Sequence, residues 1–197
     1  MAKLAREQVM LIIHASREKG ERIDLRGIDL RGTDLSNLDL SGANFRGAKL
    51  GGATLHKAKL NRAQFAGVKL SGADLRNVSL IGAKLAKIDL SGTNLSGANL
   101  FAADLSGSDL SGAELIGANL FGADLSKTIL SGANLSGTKL SGAFLSETDL
   151  SGYLAVAGFG DKLANKARQT LTRISEKGLS EIGKIISRSL INLGSKR

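Results

Sequence analysis

Few side chains in this sequence could do chemistry, and their spacing is what has to be weighed first. The chain has 18 acidic residues, two His and no Cys. Asp89 is separated from Asp109 by the same interval as Asp104 from Asp124. Paired carboxylates can act as general acid and base when a fold brings them to one pocket. With only two His, at 14 and 56, a His-based triad or a multi-His metal site is almost excluded. Without Cys there is no disulfide, thiol nucleophile or Cys-ligated zinc. No cofactor is expected, and the chain reads as non-enzymatic.

The carboxylates sit inside a repeat, and the repeat decides where they point. Leu or Phe occupies every fifth position from Leu25 to Leu150, with Phe45 and Phe65 the only two replacements among 26 centres. Two residues before each centre stands a small or β-branched residue, such as Ile23, Ala43, Val78, Thr93, Ala118 or Thr148. A period of five fits neither a 3.6-residue helix nor a long alternating strand. It suits a short extended step followed by a corner. The centre and the residue two before it share a face and can both point inward. Gly stands two after the centre in 18 of the 26 repeats, as a corner with positive φ prefers.

The segments ADLRN (73–77), ADLSK (123–127) and ANLSG (133–137) resemble the A(D/N)LXX pattern of the pentapeptide-repeat proteins. The resemblance runs over residues 23–152. It implies a mainly β fold: a right-handed quadrilateral parallel β-helix, with four repeats closing each coil. About six and a half coils, each adding about 4.8 Å, make a rod about 30 Å long. The family hosts many functions, so the resemblance alone supplies none.

Three domains are expected. Residues 1–22 form an amphipathic helix over 3–19 with Leu4, Val9, Leu11, Ile12 and Ala15, closing the first coil. Residues 23–152 form the β-helix. Residues 153–197 open with an apolar plug, SGYLAVAGFG, and continue as two basic amphipathic helices. Asp161 would cap the first, whose stripe is Leu163, Ala167, Leu171 and Ile174. The second carries Ile182, Ile186, Leu190 and Leu193. This tail could fold back on the rod, form a homodimer with a second copy, or lie on an anionic membrane.

With four repeats per coil, residues four repeats apart form outward columns. One reads Ser41, Asn61, Ile81, Phe101, Phe121, Ser141. Ile81, Phe101 and Phe121 make an apolar stripe, with Ile116 beside it on the neighbouring face. Such patches mark interaction sites, and the stripe is expected either to be covered by a C-terminal helix or to meet a separate partner or a second copy. Ile129 and Phe144 also break the polar exterior. A second column, Gly32 to Gly152, suits the corner. The carboxylate pairs stack on a convex solvated face without a pocket, and so do not read as catalytic. Arg26 with Arg46, and Lys49 with Lys69, make the opposite end positive, while His56 reads as a surface residue. Asn94-Leu-Ser and Asn134-Leu-Ser match a glycosylation pattern that the repeat writes by accident.

The net charge of +9 is unevenly spread: +2 over residues 1–22, +6 over 23–87, −5 over 88–152 and +6 over 153–197. Such asymmetry concerns partners, not fold. The leading expectation is a protein–protein interaction module whose partner the sequence does not identify. Some members of the family it resembles, the quinolone-resistance proteins, resemble a DNA duplex through rod shape and acidic surface, which implies protection or inhibition of a type II topoisomerase as an alternative. Only residues 88–152 have the charge for that role. Nucleic acid could also meet the basic tail, though one Tyr and no Trp leave little to stack on bases. No stretch reaches the ~20 apolar residues of a membrane span, and the run Val9–Ile13 is too short for a secretory signal, so a soluble cytoplasmic protein is expected.

Overall fold

In the computed structural model, which describes residues 3–149, the repeats fold by one local rule. The carbonyl of the centre accepts a hydrogen bond from the amide three residues on, as Thr33 donates to Leu30 (3.1 Å) and Ala113 to Leu110 (3.0 Å). Leu85 is the exception: its carbonyl accepts from Ser108 Oγ, and Ile88 N–H donates to that hydroxyl. The residue two after the centre has positive φ at every described corner from 27 to 147. A negative φ followed by a positive one is the type II turn, which favours Gly or Asn at its second central position. Eight corners lack Gly. Besides Asn37 and Asn77, these are Lys57, Arg62, Lys87, Ala102, Lys127 and Glu147, all with φ between 52° and 60°.

Three residues remain extended between corners, and the middle one bridges in parallel to its counterpart four repeats further on, as in Asp24–Asn44–Gln64–Lys84. The coil therefore closes in four repeats. Leu25 N–H donates to Asn44 O and Asn44 N–H to Ile23 O, both at 2.9 Å, while stacked corners add bonds such as Gly92 to Ser111 (2.9 Å). The expected strands shrink to single-residue bridges because three residues between two turns leave room for no more.

Inside, the Leu centres are stacked over the small residues two before them. Leu25 through Leu130 are almost fully buried, and Phe45 stacks on Phe65 with ring centroids 5.1 Å apart. Buried hydroxyls stay satisfied, as burial demands. Ser108 Oγ donates to Leu85 O (2.5 Å), Thr128 Oγ1 to Leu105 O (3.0 Å) and Thr93 Oγ1 to Leu90 O (2.6 Å).

α1 (Arg6–Glu18) lies over the first coil. The expected helix from residue 3 starts later, because Lys3 bridges Asp29 and Leu4 N–H bonds Asp29 O at 3.0 Å, holding that segment extended. Val9 and Ile13, four residues apart, are the buried face. Leu11, two residues from Val9 and so about 200° around the helix, is 69% exposed rather than facing the rod. Arg6 and Arg17 donate to the edge carbonyls of Asp34, Ser36 and Asp39 at 2.8–3.0 Å, closing the first coil's open edge. The expected plug and tail helices, with Leu171, Ile174, Ile182, Ile186 and Leu190, lie outside the described residues.

Candidate interaction surfaces

The ridge at the corner column is built by the turn itself. The residue after each centre points outward, so a side chain there can change without touching the core. Phe101 and Phe121 occupy this place in consecutive coils, with nearly parallel rings 5.6 Å between centroids. Ala102 N–H to Phe121 O and Gly82 N–H to Phe101 O, at 3.0 and 2.9 Å, set that spacing. The Asn two residues before each Phe fixes its turn: Phe101 N–H donates to Asn99 Oδ1 and Phe121 N–H to Asn119 Oδ1, both 3.2 Å. Asn119 Nδ2 in turn donates to Asn99 Oδ1 at 3.1 Å, a side-chain ladder beside the ring stack. Ile81 lies one coil below Phe101. Exposure is 36% for Ile81, 41% for Phe101 and 48% for Phe121.

The other apolar candidates do not join this ridge. Ile116 sits at the far corner of the same face, beyond Asn119. Phe144 bridges Asp124 on the adjacent face, and Ile129 bridges Asp109 and Asp149 on the face opposite Asn119. Each is exposed singly. On the outer side of α1, Met10 and Leu11 form a further exposed apolar pair. Leu11 was visible in the sequence as part of the helix; its outward direction follows only from which residues meet the coil.

The carboxylate pairs are adjacent, Asp89 bridging Asp109 and Asp104 bridging Asp124. Their oxygens cap their own turns. Asp89 Oδ1 accepts from Ser91 N (3.0 Å) and Oγ (2.6 Å), Asp104 Oδ1 from Ser106 N (3.1 Å) and Oγ (2.7 Å). Asp109 and Asp124 accept from the amides of Ser111 and Ser126 at 2.8 and 2.9 Å. This is the usual work of Asp two residues before a turn amide. The Ser91 hydrogen bonds, helped by Lys69, hold the Asp89 carboxyl below the ordinary carboxylate range.

The basic end is less free than its composition suggests. Arg26 pairs with Asp24, Arg31 with Asp29 and Arg76 with Asp74, at 2.6, 2.6 and 2.7 Å. Side-chain hydrogen bonds from these guanidiniums hold all three carboxyls below their ordinary range, Asp29 the furthest. A charge count does not show this pairing, although Asp-Leu-Arg puts acid and base on the same outward face two residues apart. Arg26 therefore does not act as a free cation stacked on Arg46, whereas Lys49 and Lys69 do neighbour one another in the ladder. His56 is half-buried, with its Nδ1 enclosed and unpartnered. An open depression of about 260 Å³ lies between Gly72, Ala73, Asp74, Arg76, Gly92 and Asn94, its charged groups already paired with each other. Among the described residues no three His, Asp or Glu gather as a metal would need, and no helix is long and apolar enough to cross a membrane.

The family model for pentapeptide repeats matches in eight copies, over residues 23–62, 58–97, 98–137 and 128–152. The chain belongs to the pentapeptide-repeat family. Solved structures of this family resemble it. One is a trypsin-treated variant of QnrB1, a plasmid-mediated fluoroquinolone resistance protein, at 28% identity and a TM-score of 0.62 over 66% of this chain. This chain spans 65% of that one's length. HetL, a pentapeptide-repeat protein of the cyanobacterium Nostoc involved in heterocyst differentiation regulation, is 29% identical over 71% of this chain and 94% of its own, with a TM-score of 0.24. A pentapeptide-repeat protein of the Arabidopsis thaliana thylakoid lumen is 31% identical over 53% of this chain and 66% of its own, also with a TM-score of 0.24. No curated protein matches. Pentapeptide-repeat proteins form right-handed quadrilateral β-helices, the architecture into which the four-repeat coil falls.

Proposed function

We propose that this protein is a non-enzymatic interaction module, a β-helical rod that docks a protein through the Ile81–Phe101–Phe121 ridge. The observation that supports it is the exposure of stacked Phe101 and Phe121, 41% and 48%, in a column that elsewhere carries Ser41, Asn61 and Ser141. The coil folds equally well with Ser or Asn at that position, so the fold does not require the rings. A contiguous exposed apolar strip on a polar rod is the signature of a docking surface. The rod would work in the cytoplasm, and the basic tail after residue 152 would supply a second contact. The test is Phe101→Ser with Phe121→Ser. Loss of partner binding or self-association, with unchanged circular dichroism, is the expected result. Unchanged binding and oligomeric state in a folded variant would remove the ridge from any role.

A second reading is favoured by the likeness to QnrB1 and by the stacked carboxylates at 89/109 and 104/124, in a half of net charge −5. On this reading residues 88–152 take the place of duplex DNA on a type II topoisomerase. A gyrase supercoiling assay with and without quinolone tests it. Neither inhibition nor protection would end the idea.

A further inference from the structure

The ridge lies between two ladders of outward residues, and their charges run in a definite order. On one flank stand Lys84, Asp104 and Asp124 in successive coils; on the other, Asp39 and Lys59 begin the ladder and Lys139 ends it. Among the described residues neither Lys84 nor Asp104 is held in an ion pair. The rod as a whole is a dipole, +6 over residues 23–87 and −5 over 88–152.

We propose that the occupant of the ridge is a second copy of this chain, lying antiparallel, with the two-fold axis crossing between the coils of Ile81 and Phe101. The proposal rests on the reading of the ridge as a docking surface and names what docks. Parallel rods would set basic half on basic half and acidic half on acidic half. Antiparallel rods set each basic half against an acidic one, which is the arrangement Coulomb attraction selects.

Register follows from the ladders. In an antiparallel two-fold pair each ladder meets itself in reverse order. An axis between Phe101 and Phe121 opposes Asp104 to Asp124. An axis at the level of Phe101 sets Lys59 against Lys139 and brings the two Asp104 together. An axis between Ile81 and Phe101 opposes Lys84 to Asp104 and Asp39 to Lys139, with no like charges facing. It also lays each Phe101 on the other copy's Ile81. Asp39 already pairs with Arg17 at 3.4 Å, so the Lys84–Asp104 contacts carry the register. These two residues neighbour each other within one chain, so two copies close a square of alternating charge. The overlap of about six coils is roughly 29 Å long. A contact one corner wide over that length places the interface at the small end of specific interfaces, which are the weaker, transient ones.

Sedimentation equilibrium of the full chain across the micromolar range tests this. The expected result is a monomer–dimer equilibrium that weakens as salt rises. Lys84→Glu alone and Asp104→Lys alone each weaken self-association about tenfold or more, since each contact occurs twice by symmetry. Mixed with each other, the two single variants pair about as tightly as the wild type pairs with itself, because each supplies the charge the other lacks. With no native Cys, a nitroxide on Ser141→Cys reports orientation: the two labels lie about 24 Å apart along the rod in the antiparallel register and side by side in a parallel one. A monomer at every concentration overturns the second copy as occupant and leaves the ridge open to a different protein. A dimer indifferent to both charge reversals overturns the register. A dimer that also ignores Phe101→Ser with Phe121→Ser places self-association elsewhere, overturning this proposal while leaving the ridge reading to its own binding test.

Discussion

Exchanging Ala102 for Gly should stabilise this protein, and exchanging Gly112 for Ala should destabilise it by a similar amount. Ala102 sits at φ 52° and Gly112 at 64°, both second central positions of a corner turn. A side chain in the left-handed region costs about 1–2 kcal/mol, from the approach of its Cβ to the following carbonyl. Removing the exposed Ala102 methyl relieves that strain and loses almost no burial. Against this, Gly gives the unfolded chain more freedom, worth about 0.4–1 kcal/mol. The net gain for Ala102→Gly is about 0.5–1 kcal/mol. At Gly112 a Cβ would meet nothing within 4 Å, so only the backbone strain opposes Ala there. At Gly97 a Cβ would meet the Asn77 side-chain amide, which can turn aside, so Gly97→Ala should lose about as much as Gly112→Ala or slightly more. At about 2–4 °C per kcal/mol for a chain of this size, thermal unfolding followed by circular dichroism resolves all three. A fall in Tm for Ala102→Gly, or no loss at Gly112→Ala, would refute the reasoning that corner φ is imposed by the coil and not chosen by the residue.

Further outcomes follow from the core, the ion pairs and the ridge. Leu100→Ala, at a fully buried centre, should lose about 2–5 kcal/mol in denaturant unfolding, the range for a cavity in a packed core. Asp24, Asp29, Asp34, Asp39, Asp74 and Asp89 all have carboxyls held below their ordinary range, so their contribution is complete above the unfolded value of about 3.9 and is lost as pH falls through the lower folded values. Tm should therefore stay nearly flat with respect to these groups down to about pH 4 and drop below it, and Asp29→Asn should lessen that drop. In a double-mutant cycle of Phe101→Ser and Phe121→Ser, the ring stack should appear as a coupling of about 0.5–1.5 kcal/mol in folding, separate from any effect on association.

The five-residue period, repeating without insertion from Leu25 to Leu150, marked the extended steps and corners; closure in four repeats came from the family resemblance, and the apolar column followed from counting in those steps. The bridges between successive coils and the Phe101–Phe121 stack are where that arithmetic led. Three features needed the structure. Lys57, Arg62, Lys87, Lys127 and Glu147 adopt positive φ although their own preferences oppose it. Hydrogen bonds to neighbouring coils fix the first four corners, and Ser146 O, beside Glu147, accepts from Lys127 N–H. The basic end looked open in a charge count, yet Arg26, Arg31 and Arg76 are tied to the Asp two residues earlier. Ile129 and Phe144 also break the polar exterior, but the coil places Ile129 on a face away from the ridge and Phe144 on the flanking ladder one coil above Asp124.

That separation of inside from outside is what lets such a rod carry a recognition surface at all. In a globular domain a substitution that exposes an aromatic ring usually disturbs the packing beneath it. Here the centre and the residue two before it are consumed by the core, while the residue before and the two after it touch only solvent, the ladder neighbours or the turn. Two outward positions are then tied locally, Asp or Asn capping the turn and Gly or its substitute forming the corner. The residue after the centre is the freest of the five, and it is there that Ile81, Phe101 and Phe121 stand in three successive coils. Ser fills the same place at 91, 96, 106, 111, 126 and 131 with the same turn and the same backbone bonds. The ring stack gives folding about 0.5–1.5 kcal/mol, but the turn and its backbone bonds do not require it. Contact with another surface gives a further reason to hold three large apolar residues in one column. The charges that flank them, Lys84 and Asp104 in adjacent coils, supply the direction and register that an apolar strip alone would leave unspecified.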